Sequence, residues 1–181
     1  MYYFISDMHL QHKKIIGLNN RPFSDVDEMT KAIISNWNDV VSDNDTVYII
    51  GDYYNGNNIG QFVDITTKLN GHKNLIKGNH DKIIDEIDKD TLSGLFETIS
   101  DYKEIVIDGK LYVLCHYPIE EGCWKDYPNS IHLHGHIHSK ENRKSSMRYD
   151  VGVDANNYFP VSKDYILNVC KTDCQKNRHK Q

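Results

Sequence analysis

Val47-Tyr48-Ile49-Ile50-Gly51-Asp52 is an apolar run rich in β-branched side chains that stops at a glycine and a carboxylate. Short apolar runs of this composition, bounded by turn residues, have the pattern of buried strands. The same texture recurs at Tyr2–Ile5, Asn74–Ile76, Leu111–Cys115 and Ile131–Leu133. Between the first three runs the spacing changes to threes and fours. Val26, Met29, Ala32, Ile33, Ile34 and Trp37 make one such series, and Ile59, Phe62, Val63, Thr66 and Leu69 another, which predicts two amphipathic helices. Asp25 stands at the N-cap position of the first with Glu28 three residues on, a capping box with Asp in place of Ser or Thr. Strand, helix, strand in succession implies a layered α/β fold. Beyond residue 100, Ile105–Ile107 and Leu111–Leu114 flank Asp108-Gly109, a hairpin signal, and Met147–Val153 and Tyr165–Val169 are further candidate strands. Lys171–Gln181 holds no apolar periodicity. One domain over residues 1–170 with a mobile C-terminal tail, 171–181, is expected.

The chain has 181 residues, enough for one domain with a real core. Hydrophobic residues make up 39%, the mean hydropathy is −0.63, and no stretch reaches the roughly 18 apolar residues of a spanning helix, so a soluble chain is expected. Lys+Arg number 21 and Asp+Glu 26, a formal charge of −5, which excludes a protein that coats nucleic acid with a broad basic face. The N-terminus lacks the pattern of a signal peptide. Cys115, Cys123, Cys170 and Cys174 form no CxxC pair, so free thiols in a reducing cytoplasm are expected.

Every candidate strand delivers polar groups at its exit. The first ends in Asp7-Met8-His9, where positions i and i+2 of an extended chain point the same way and can grip one ion. The others end in Gly51-Asp52, Gly78-Asn79-His80-Asp81, His116 and Gly135-His136-Ile137-His138. Carboxylates, imidazoles and one amide oxygen make a mixed O/N donor set, suited to Mn, Fe, Zn or Co rather than to Ca or a thiolate-held metal.

In this order the five blocks resemble the signature of the calcineurin-like metallophosphoesterases, of the small single-domain bacterial or phage type. The resemblance implies a four-layer αββα sandwich of the α/β (α+β) class, two mixed sheets flanked by helices with metals at the strand C-terminal ends. It implies that Asp7, His9 and His138 hold one ion, that Asn79, His116 and His136 hold a second, and that Asp52 bridges both. A carboxylate suits the bridge because it can balance two cations about 3.5 to 4 Å apart. Two divalent transition metals are implied, manganese foremost, with Fe, Zn, Ni or Co as alternatives. The implied chemistry is in-line displacement at phosphorus by a metal-bridging hydroxide. His80 is left without a metal, and by resemblance it is the catalytic residue, stabilising charge or protonating the leaving oxygen.

Many relatives read Gly-Asp-x-x-Asp, whereas this chain reads Gly51-Asp52-Tyr53-Tyr54-Asn55. Asn55 can orient His80 but supplies no charge to hold an imidazolium. That points to a good leaving group or to a His80 that acts by hydrogen bonding. Asp81 is an open alternative as the orienting carboxylate. His134 is expected behind the donors, His132 as a plain strand residue, and His12, His72 and His179 at the surface. Arg21, in a loop pinned by Pro22, is the candidate clamp on substrate phosphate, ahead of Arg143 and Arg148. Aromatics in Tyr117–Trp124 are expected to seal their loop onto the core, with stacking on a nucleobase as the alternative. Nothing after Val169 can form a cap, so an open site is expected, which favours a cytoplasmic phosphodiesterase on small or nucleotide-like substrates. The alternatives are a phosphomonoesterase of small phosphorylated metabolites, a protein phosphatase, and a non-catalytic phosphoesterase-like binding subunit. Protein phosphatases resemble Gly-Asp-x-x-Asp-Arg-Gly, whose second Asp and Arg are missing here, and a non-catalytic subunit predicts broken ligand positions, which are intact.

Overall fold

Strands β1 (Tyr2–Ile5), β2 (Thr46–Ile50), β3 (His72–Ile76) and β4 (Thr98–Ser100) pair in parallel in the order β4-β3-β2-β1. The near-continuous apolar run of β2 follows from burial on both faces. In β2, Val47 and Ile49 enter one core cluster, while Tyr48 and Ile50 enter another. This computed structural model describes residues 1–120, 123, 127, 129–140, 145 and 147–178, the side chains of 171–178 excepted.

Each crossover in this sheet steps one place in the same direction. Right-handed crossovers that always step the same way leave their helices on one face. That face carries α1 (Lys13–Leu18), α2 (Val26–Val40), α3 (Ile59–Thr67) and α4 (Lys89–Leu95). Met29, Ile33 and Trp37 of α2 and Phe62 and Ile65 of α3 cluster with Ile5, Val47, Ile49 and Leu75. The opposite face is covered by a second sheet, ordered β5-β6-β7-β8: β5 (Lys103–Ile107), β6 (Lys110–Leu114), β7 (Ser130–His134) and β8 (Arg148–Asp150). Between the sheets Phe4 stacks on Tyr48 and Tyr112, at centroid distances of 5.8 and 5.7 Å. Strand β9 (Val161–Ser162) runs antiparallel to β1, and α5 (Lys163–Arg178) contacts β1, β8 and β9, sending Ile166 and Cys170 into the inter-sheet core. The two mixed sheets flanked by helices are therefore present, and no described helix is long and apolar enough to cross a membrane.

Local signals account for most boundaries. The Asp25 carboxylate accepts from the backbone of Asp27 and Glu28, so the expected N-cap is in place. The reciprocal half differs, since Glu28 reaches Ser24 rather than the cap residue itself. Asp108 and Gly109 both have positive φ, 52° and 73°, the backbone of a two-residue hairpin turn. Tyr165–Val169 lies in α5 and not in a strand; Ile166 and Cys170, four apart, mark a helical face. The same helix runs on to Arg178, through residues expected to form a tail. Strands β4 and β9 span three and two residues, too few to leave a periodic pattern.

Candidate metal centre

Strands β1, β2 and β3 of one sheet and β6, β7 and β8 of the other end at a common edge, where an isolated bridge between Ser6 and Gly152 joins the two sheets. Ser6 donates its N–H to the Val151 carbonyl and accepts from Val153, both at 3.0 Å. The chain past these ends is not extended. Asp7, His9, Asp52, His136 and His138 have φ of 58°, 49°, 53°, 72° and 50°. Asp7 and His9 thus converge through left-handed backbone, which corrects the expected strand alternation. Such a conformation costs a non-glycine residue roughly 1–2 kcal/mol and persists where surrounding bonds impose it. Here Asp7 donates its N–H to Gly51 and His9 to Asp52, at 3.0 and 2.9 Å. Close approach also fixes Gly135, where a Cβ would stand 1.9 Å from Ser6 Oγ and 2.4 Å from Asp7 Oδ2.

Ligating atoms of Asp7, His9, Asp52 and His138 lie within 4.8 Å of one another, and so do those of Asp52, His116 and His136. His9 Nε2 is 3.1 Å from His138 Nε2 and 3.4 Å from Asp52 Oδ2. His116 Nε2 is 3.4 Å from the same Asp52 oxygen and 3.2 Å from Asn79 Oδ1. Atoms about 2.1 Å from one ion stand roughly 3 to 3.5 Å apart, so these separations suit shared cations. The donor chemistry agrees, because lone pairs face lone pairs across each group with few protons to separate them. A divalent metal therefore fits the residues present.

The electrostatics of the metal-free groups point the same way. Burial pushes the Asp7 carboxyl up to about 6 and drives His9 down to about 2, so His9 stays neutral with a lone pair to offer. Burial also works to raise Asp52, but His116 and the His80 N–H outweigh it and hold the carboxyl at about 2. His116 and His138 are raised, burial being overcome by Asp52 and by Asp154 respectively.

Behind the donors stand residues that orient them. His138 Nδ1 is 2.9 Å from Asp154 Oδ2, and His116 Nδ1 is 3.0 Å from the Ile50 carbonyl; each contact leaves Nε2 facing inward. Asp154 in turn accepts two bonds from Arg21, at 2.9 and 2.8 Å. Arg21 also donates to the carbonyls of Met8 and Asp7 and is 4% exposed. Buried and with its donors engaged, Arg21 is placed behind the His138 support and not free for the expected phosphate contact. Asp81, whose role was open, accepts from the backbone N–H groups of Asp52, Tyr53, Tyr54 and Gly78, tying the exits of β2 and β3 together. It does not touch the His80 ring.

His80 is exposed, its ring 5.1 Å from that of His9, and its Nδ1 lies a loose 3.5 Å from Asn55 Nδ2. Its backbone donates to Asp52 Oδ1 at 2.9 Å. His134 is fully buried and bonds the Gly135 carbonyl, so it acts on the motif's backbone and reaches no donor side chain. His132 exceeds its expected role: Nδ1 meets the Val113 carbonyl, and Nε2 accepts from Ile119 N, pinning the segment after His116. Tyr117 is 47% exposed with its ring 4.8 Å from that of His136, so it stands at the open side of the second group instead of sealing its loop. Trp124 and Arg143 fall outside the described residues. Sequence reasoning missed Asp154 and His12. Asp154 follows Val151-Gly152-Val153, one more apolar strand exit with a glycine before a carboxylate.

Residues 2–154 match the family described as calcineurin-like phosphoesterase. The chain is 35% identical over 175 residues to an uncharacterized protein of Methanocaldococcus jannaschii, MJ1445, covering 91% of this chain and 88% of that one. Among solved structures, the Aquifex aeolicus protein of unknown function AQ665 superposes with a TM-score of 0.74 at 30% identity, over 93% of this chain and 98% of its own. A novel archaeal phosphodiesterase shares the fold, with a TM-score of 0.54 at 19% identity over 83% and 81%.

Proposed function

The chain belongs to the calcineurin-like phosphoesterases, and from that premise we propose that it is a two-metal phosphodiesterase acting on small or nucleotide-like diesters. The observation that carries this reading is the position of Asp52, common to both donor groups. Asp7, His9 and His138 would hold one ion with it, and His116, His136 and Asn79 the other. When bound, such ions polarise phosphoryl oxygens and bring water near its pKa at neutral pH.

The protein's own residues do the positioning. Asp52 uses Oδ1 to fix the His80 backbone and leaves Oδ2 between His9 and His116. His80, on the open side of the donors, places a hydrogen-bond donor where a phosphoryl or leaving oxygen would sit. Where Asn55 Nδ2 donates to its Nδ1, the ring proton stands on Nε2, toward the open side. Asn55 orients the ring without a negative charge behind it, which suits a His80 that acts by hydrogen bonding and a leaving group that departs readily. The fate of Arg21 favours the diester. With that guanidinium buried behind the ligands, a dianionic monoester has less positive charge to hold it than it would otherwise have, and a monoanionic diester needs less.

The test is turnover of bis(p-nitrophenyl) phosphate beside p-nitrophenyl phosphate, with Mn, Ni, Co or Zn added, and with Asp52→Asn and His80→Ala as controls. Diester cleavage lost in both variants is expected. No turnover with any metal would sink the enzyme, and faster monoester cleavage would sink the diester preference.

A further inference from the structure

His12 sits at the N-cap of α1, a position that usually uses its side chain to cap, yet it makes no side-chain cap bond. Its backbone is held by the His12 N–H donating to the His9 carbonyl at 3.0 Å, and its half-buried ring turns toward His9. The two Nδ1 atoms are 3.3 Å apart, with ring centroids at 5.2 Å. On the other side the His80 ring lies 5.9 Å away.

Two nitrogens at that distance need one proton between them, and the donor group decides whose it is. For His9 Nε2 to present a lone pair beside Asp52 and His138, the His9 proton must stand on Nδ1. His12 Nδ1 is then the acceptor, and the His12 proton stands on Nε2. His138 has Asp154 for this purpose and His116 has the Ile50 carbonyl. Among the described residues, His12 is what His9 has.

We propose that His12 is the positioning residue of His9, fixing the tautomer and ring orientation that leave Nε2 open to the first ion. The proposal rests on the two-metal reading above. It differs from the support of His138 in one chemical respect: the acceptor is a neutral imidazole and not a carboxylate, so His9 gains orientation without added negative charge.

The experiment is calorimetric titration of Mn²⁺ into the wild type, His12→Phe and His12→Asn at one pH and ionic strength. Phe keeps the ring volume without an acceptor, and Asn places its Oδ1 near the position of Nδ1. Two sites are expected in the wild type, with one weakened about 10-fold or more in His12→Phe, as loss of such partners commonly does, and largely restored in His12→Asn. Equal affinities in all three proteins, or an Asn variant as weak as Phe, would overturn the proposal. A wild type that binds no Mn²⁺ would overturn the metal centre itself, a different outcome. Long-range ¹H–¹⁵N spectra of the Zn²⁺-loaded protein give a second readout, with His9 protonated at Nδ1 and His12 at Nε2; His12 protonated at Nδ1 would refute the assignment.

Discussion

The group formed by Asp7, His9, Asp52 and His138 lies below the surface, with three of its four residues buried, whereas the group of Asp52, His116 and His136 ends in an exposed imidazole with exposed Asn79 beside it. The first is supported by side chains, Asp154 and Arg21 behind His138 and His12 beside His9. His116 in the second leans on a main-chain carbonyl, and His136 on the ring of Tyr117. Burial with oriented partners holds a cation in a fixed frame, while exposed donors can adjust as a substrate arrives. On the two-metal reading, the contrast predicts a tightly held ion at the first position and an exchangeable one at the second.

The largest expected effect removes what the two groups share. Asp52→Asn takes away the common negative charge, and diester kcat/KM should fall about 10³-fold or more, which is ~4 kcal/mol of transition-state stabilisation. Residual turnover within tenfold of wild type would mean that the groups do not act together. Next comes the support of the first group. Asp154→Ala leaves the Arg21 guanidinium buried without its carboxylate, and loss of one partner in a buried pair costs ~3–5 kcal/mol, to be read as a lower denaturation midpoint at unchanged m-value. Arg21→Met together with Asp154→Ala should recover part of that loss. A third, smaller effect falls on the open group alone. His136→Ala should retain one ion through dialysis against a weak chelator, where a protein that loses both would erase the distinction between the groups.

The smallest effect separates donor imidazoles from one that is not a donor. Burial lowers His132 to about 4 from the usual 6.5. Between those values the unfolded chain binds more protons than the folded one, so stability falls as pH drops from 6.5 toward 4. Relative to His132→Asn, the wild type should lose denaturant resistance over that window and hold steady above it. A gap between the two proteins that does not change with pH would show that His132 contributes packing alone.

Sequence carried the donors because ligand chemistry requires particular residue types in a particular order, and Asp7, His9, Asp52, Asn79, His116, His136 and His138 do meet at one edge. The manner of their meeting was not legible. Left-handed backbone at Asp7 and His9 is held by hydrogen bonds to Gly51 and Asp52, which no local pattern encodes. Arg21 illustrates the same limit: its place in a loop after the first block suggested a ligand-facing cation, yet its orientation is set by Asp154, 133 residues away in sequence. The helices with long apolar series, α2 and α3, were visible. The start of helix α5 was misread as a strand because Tyr165–Val169 is short and apolar, a length at which the two periods are hard to tell apart.

The joining of both groups across two sheets also sets an order in time. His80 completes what the first sheet supplies, and His138 lies 138 − 80 = 58 residues further along. At about 5–20 residues per second of synthesis, roughly 3 to 12 s separate the two. Within that interval the strands β5, β6 and β7 that cover Phe4, Tyr48, Ile50 and Ile76 are still being made. The first half of the nascent chain therefore lacks His116, His136 and His138. On the two-metal reading, loading with the full ligand set comes after both sheets have been made.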